Sequence, residues 1–370
     1  MRYSRILLAF ALAVASPFAA RALFAGDVVR YLAPNDEGQF EERAYDGTLT
    51  GMTRESLSFK VDEDAKNAPE GGVVASDAVV WLTLEDAPAE LSTAQVEIEL
   101  GNYEEALEKL ASIAADDLDE EKFPWVKREV EWNAAVARLQ LALADGGSLS
   151  DGGKAIVEFV QSSKEHYRFY DALRLTGEAF LSRATASEKD RDAAIKRAKS
   201  AFTQMTKSSL ASYRASGNLG LGRAALLEGA SEEALGLFEG VVSDAELSSS
   251  PQGAALKADG RLWTGRAQSA SGRYEDALRT LNEALASTPN TETRRQAEIY
   301  NAIGEVDELS ELNEDAIIAY LHVDLLYPTA RAERIKALKA LARLWRKVGR
   351  DDRADETIAR LKERFNVEID

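Results

Sequence analysis

The chain has 370 residues, 45% of them hydrophobic and 29% charged, which is enough apolar material for one sizeable core or for an extended array beside a small domain. A formal net charge of −18 argues against broad binding to nucleic acid or any other polyanion. Cysteine is absent, so disulfides, thiolate nucleophiles and Cys-ligated zinc are excluded and packing alone must hold the fold.

Residues 1–22 read as a secretory signal peptide. Arg2 and Arg5 give a basic start, Ile6 to Ala15 an unbroken apolar run, and Ala20-Arg21-Ala22 a small-x-small cleavage site. The apolar run is about half of the roughly 20 residues that span a bilayer. Cleavage near Leu23 is therefore expected rather than a retained anchor, with a periplasmic or secreted chain in a bacterial envelope and no stable membrane span after cleavage.

Residues 23–86 carry a strand pattern. Asp27 to Ala33, Tyr45 to Met52, Ser56 to Val61, Gly72 to Ser76 and Val79 to Leu84 are rich in β-branched or aromatic residues, and Pro34-Asn35-Asp36-Glu37-Gly38 and Pro69-Glu70-Gly71-Gly72 supply turns. Five short strands predict a small antiparallel β-barrel-like domain, closed or half closed. Gly47-Thr48-Leu49-Thr50-Gly51 followed by Leu57-Ser58-Phe59-Lys60-Val61 resembles an SH3-like or Sm-like barrel.

After Asp86-Ala87-Pro88 the period becomes helical and stays so. Five alanines, Ala106, Ala234, Ala277, Ala316 and Ala354, align in one column. Four residues on stand Leu110, Phe238, Leu281, Tyr320 and Ile358; twelve before stand Ala94, Gly222, Gly265, Gly304 and Ala342. The small residues predict close approach of two antiparallel helices, alanine facing small residue, with the larger side chains packing into the neighbouring hairpin. Gly101, Gly229, Gly272 and Gly349, five before the alanine, mark the left-handed end of a first helix. Two further, degenerate hairpins are expected at about 125–163, with Ala155 and Phe159, and 168–207, with Ala198 and Phe202.

This pattern resembles the tetratricopeptide repeat (TPR) family, most clearly in Trp263, Gly265, Gly272-Arg273-Tyr274-Glu275-Asp276-Ala277, Leu281, Ala284 and Pro289, then in Gly304, Ala316, Tyr320 and Pro328. The alanine spacings of 43, 39 and 38 exceed the family's repeat of about 34. The resemblance implies a mainly α chain: a right-handed α-solenoid of about seven helical hairpins over residues 87–366.

Chemistry is sparse. Gly220-Leu221-Gly222-Arg223-Ala224-Ala225 matches a dinucleotide fingerprint, but that fingerprint works only between a strand and a helix start; here it lies in a helical repeat, and no cofactor is expected. Only two histidines exist, His166 and His322, too few for a metal site or nucleophile pair and best read as junction or surface residues. The acidic runs Asp62-Glu63-Asp64 and Asp116 to Glu121 lack the spacing of a calcium loop. From Arg331 to Arg364 twelve Lys or Arg stand against six Asp or Glu. Either this is a polar cap on the last repeat, or Lys336, Lys339, Arg343, Arg346 and Lys347, with Arg266 and Arg223 on earlier first helices, contact an acidic partner segment.

The resulting expectation is an exported, non-enzymatic scaffold that binds proteins or peptides in the cell envelope. The alternative is a cell-wall or polysaccharide binding module acting through the β domain, with Tyr31, Phe40 and Tyr45 exposed on one face and the solenoid as spacer.

Overall fold

The computed structural model describes residues 26–61, 67–144 and 149–367; the expected signal peptide, 1–22, and the run Asp62-Glu63-Asp64 lie outside them. The described residues form two compact units, one running up to Gly220 and including Ser249–Gln252, the other made of Leu221–Ser248 and the residues from Gly253 onward.

The first unit opens with β1 (Asp27–Pro34), β2 (Phe40–Met52), β3 (Ser56–Lys60), β4 (Val73–Ala75) and β5 (Val79–Thr83). All neighbours are antiparallel, in the order β4-β3-β2-β1-β5. β2 begins five residues before the expected Tyr45, because Phe40 to Ala44 pairs with Arg30 to Pro34 across a tight hairpin. The Asn35 side chain accepts the Glu37 and Gln39 amides there, and Gly38 supplies φ +75°. Charge pairs such as Arg30–Glu42 replace the β-branched signal along this stretch.

The sheet does not close into a barrel. β4 has only three residues, and the chain then turns through a 3-10 segment, Ser76–Ala78, before β5. That segment is buried and directed at helices instead of at the opposite edge. Tyr31 and Tyr45, expected on an exposed barrel face, are core residues at 6% and 2% exposure, while Phe40 is half-buried. The two tyrosine rings join Val29, Leu57 and Leu82 in one core with Leu91, Ala94, Val126 and Val130 of the following helices.

Helices follow in pairs: α1 (Ala89–Leu100) with α2 (Tyr103–Ala111), α3 (Val126–Ala144) with α4 (Leu149–Ser162), and α5 (Phe169–Ala186) with α6 (Arg191–Met205). α7 (Ala211–Leu227) contributes residues to both units. Phe202 of α6 shows how the degenerate repeats pack. A Cβ on Gly177 of α5 or on Gly220 of α7 would fall 2.4 or 2.3 Å from its ring, so both neighbours leave room for it.

The second unit holds α8 (Ser231–Ser243), α9 (Gly253–Ala270), α10 (Tyr274–Ser287), α11 (Thr293–Leu309), α12 (Asn313–Leu326), α13 (Arg331–Lys347) and α14 (Asp351–Phe365). The predicted glycines are left-handed, with φ between +74° and +81° at Gly101, Gly229, Gly272 and Gly349. Each ends its helix in a Schellman pair, as where Gly272 N–H meets Ser269 O and Arg273 N–H meets Gln268 O. Glu311 takes the same conformation at φ +63° in the unit that lacks the glycine.

The close contact differs from the expected one. The missing Cβ of Gly222 faces the ring of Phe238, that of Gly265 faces Leu281, and that of Gly304 faces Tyr320. The small residue thus receives the large side chain four residues past the alanine of its own hairpin. A ring or a leucine side chain can span the gap between helix axes where an alanine methyl cannot.

Candidate partner-binding face

In the second unit α9, α11 and α13 touch in series, making one side a continuous surface of first helices. Eleven residues before the alanine column stand Arg223, Arg266, Glu305 and Arg343, a column the repeat register places on that surface. The Arg223 and Arg266 guanidiniums lie over the Trp263 ring at 4.9 and 4.7 Å, within cation–π range. Arg266 also faces Glu305 at 4.0 Å, and the other Glu305 oxygen takes Lys336 Nζ at 2.5 Å. Arg343 donates to Glu308, which also accepts the Tyr320 hydroxyl at 2.7 Å. Burial and then the Glu308 carboxylate push that phenol well above its ordinary value.

Nearer the start of the first helices, Arg295 donates to Asp259 at 2.7 Å and Asn301 to Glu333 at 2.7 Å. Burial pushes the Asp259 carboxyl up against the pull of Arg295. Asn301 is fully buried.

The predicted basic residues therefore divide. Lys336, Arg343, Arg266 and Arg223 share the first-helix surface, Lys339 is exposed on α13, and Lys347 is exposed at its end. Arg346 turns instead toward Asp355 of α14 at 3.8 Å. Trp263, Glu305 and Glu308 were missed as site residues, although the column that carries Glu305 is visible once the alanines are aligned.

In the first unit the chain's own β segment is tied to the first turns of α5 and α7 and to the loops before α7 and α9. Glu55, in the β2–β3 turn, accepts the Tyr170 hydroxyl at 3.1 Å, the Ser208 hydroxyl at 2.9 Å, and both the amide and hydroxyl of Ser209. Asp77 accepts the Ser212 and Ser250 hydroxyls, and its carbonyl accepts Gln252 Nε2 at 2.7 Å. Burial pushes its carboxyl up, while the two serines pull it down. Tyr170 and Tyr213 stack beside these acids with centroids 4.8 Å apart.

His166 is a buried junction residue between α4 and α5. Its Nδ1 accepts the Arg168 amide at 3.2 Å, and Nε2 lies 3.2 Å from buried Glu129. His322 stacks on Tyr300 at 4.8 Å. Gly220 to Ala225 lies inside α7 with no strand before it, and Gly222 serves packing. Among the described residues no helix is long and apolar enough to cross a membrane, and no group of three His, Asp or Glu could hold a metal ion.

No family model matches the chain, and no curated protein matches it. Solved structures do. The apo form of the quorum sensor NprR from B. thuringiensis is 14% identical over 72% of this chain and 84% of that one, with a TM-score of 0.43. A thermophilic TPR protein from Thermus thermophilus is 16% identical over 68% of this chain and 97% of that one, with a TM-score of 0.34. Neither likeness bears on function. By its own geometry, in paired helices, left-handed turns and glycines seated under large side chains, the chain is a TPR-like helical repeat preceded in sequence by an open antiparallel sheet.

Proposed function

We propose that this chain is an exported, non-enzymatic scaffold that binds protein or peptide partners in the cell envelope through the first-helix face of its second unit. One observation carries the reading: Arg223, Arg266, Glu305 and Arg343 repeat at one register position on successive first helices, with Trp263 beneath two of the guanidiniums. Such a row offers an extended segment many shallow polar contacts and an aromatic anchor. Three of its four charges are basic, and Lys336 and Lys339 add to them, in a chain of net −18; an acidic segment is the complementary partner.

Affinity capture from envelope extract tests the reading. The chain starting at Leu23 should retain partners that a folded Arg266→Glu, Arg343→Glu variant loses, and retention should fall as salt rises, because exposed charges are screened beyond about 8 Å at physiological ionic strength. Equal capture by both proteins would overturn it. Export is tested separately, by mass spectrometry of the mature N-terminus: a start between Ala19 and Gly26 is expected, and an intact Met1 would refute it.

A further inference from the structure

The segment Ser76–Ala78 between β4 and β5 is buried throughout, and Asp77 at its centre is only 8% exposed. Its Oδ2 accepts hydroxyls from two places far apart in the chain: Ser212 in the first turn of α7, and, at 3.5 Å, Ser250 in the connection from α8 to α9. Both serines are buried. Gln252 Nε2 donates to the Asp77 carbonyl at 2.7 Å, and its amide donates to Ser250 Oγ at 3.3 Å. The stretch Ser249–Gln252 belongs to the sheet's own unit, although α8 and α9 on either side of it do not. Its bonds to Asp77 tie it to the β segment.

The carboxylate has no cation. No ion pair reaches Asp77 among the described residues, and the charge acting on it most strongly is that of Asp171 on α5, of like sign and itself held by Arg168 at 3.3 Å. Tyr213 of α7 faces it as a phenol that burial keeps neutral. On β1, which packs against the segment, every titratable group is engaged elsewhere: Arg30 with Glu42, Asp27 with the Leu49 and Glu85 amides, and the Tyr31 hydroxyl with Asn67 O.

A serine hydroxyl accepts as readily as it donates, so Ser212 and Ser250 can hold this carboxyl in either protonation state. Only the neutral state avoids burying an unpaired charge. We propose that Asp77 is a proton-operated latch: protonated, it fastens the connection between α8 and α9 to the β segment, and ionised, it loosens that connection. The device is independent of the first-helix face. Burial, with Asp171 adding to it and the two serines opposing, raises the carboxyl above its ordinary range. The folded chain therefore holds this proton more tightly than the unfolded chain. The latch is complete below about pH 4 and is lost as pH rises through the higher value of the folded state.

Amide hydrogen exchange of the full chain, corrected for the intrinsic rate and followed from about pH 4 to about pH 8, reads the latch at Ser249, Ser250, Gln252 and Gly253. In the wild-type chain their protection should fall several-fold as pH rises. In Asp77→Asn, a neutral isostere of the protonated acid, it should stay level and exceed that of the wild type at the alkaline end. The same pH dependence in both proteins, or weaker protection in Asp77→Asn at the alkaline end, would overturn the proposal. Carbon-13 NMR of the wild-type Asp77 carboxyl gives a second reading that needs no variant: its midpoint should lie above the ordinary value of about 3.9, and a midpoint at or below it would equally overturn the latch.

Discussion

Glu311 occupies a left-handed turn that four sister repeats give to glycine. A side chain with a Cβ costs about 1 kcal/mol or more in this conformation. Glu311→Gly should therefore raise stability by up to about 1 kcal/mol, read as a higher urea midpoint, despite the greater freedom it gives the unfolded chain. Four residues earlier, Asp307 is 6% exposed, and burial together with Asp315 raises its carboxyl from 3.8 to about 6. The folded state then binds this proton more tightly than the unfolded chain does. Its favourable contribution is full below about pH 4 and is lost as pH rises through about 6. Asp307→Asn should be the more stable protein near pH 7.5, by on the order of 1 kcal/mol, with the gap closing toward pH 4; a constant gap would contradict this. The turn glycines were legible because φ > 0 selects them. What would fill the space over Gly222, Gly265 and Gly304 was not, since sequence spacing does not show which facing side chain is long enough to reach across.

Among the elements, α12 to α14 are held by a buried carboxylate. Both Asp324 oxygens are shielded from solvent; one takes Arg334 of α13 at 3.1 Å and the other Arg360 of α14 at 2.6 Å. Arg331 adds a bond to Phe365 O at 3.0 Å. Part of the basic excess between Arg331 and Arg364 is thus structural, which neither the capping nor the partner reading anticipated. Removing one side of a buried pair costs about 3–5 kcal/mol. Asp324→Asn keeps some hydrogen bonding and should cost about 2–4 kcal/mol, with amide exchange in α14 accelerating before that in α9 and α10. The helices themselves were legible from period and turn residues. The sheet was legible in strand number but not in closure: a three-residue β4 and a buried 3-10 segment aimed at Ser212 leave no local trace in the sequence.

At the scale of the molecule, the same repeat serves two ends. In the first unit Glu55 and Asp77, from the turns of the chain's own β segment, hold the first turns of α5 and α7 and the loops before α7 and α9, through hydrogen bonds from Tyr170, Ser208, Ser209, Ser212 and Ser250. No spacing rule links residues separated by 115 to 173 positions, so these bonds could not be read beforehand. In the second unit the surface keeps its charged column and Trp263, and the central claim is that partners bind there. Photo-crosslinking tests it most directly, with a benzophenone amino acid placed at Arg266, at Arg343 or, on the second-helix side, at Asn282, which is exposed on α10. Partners captured by the folded wild-type chain should crosslink from positions 266 and 343 and not from 282; crosslinks confined to 282, or none from 266 and 343 while capture persists, would contradict the account.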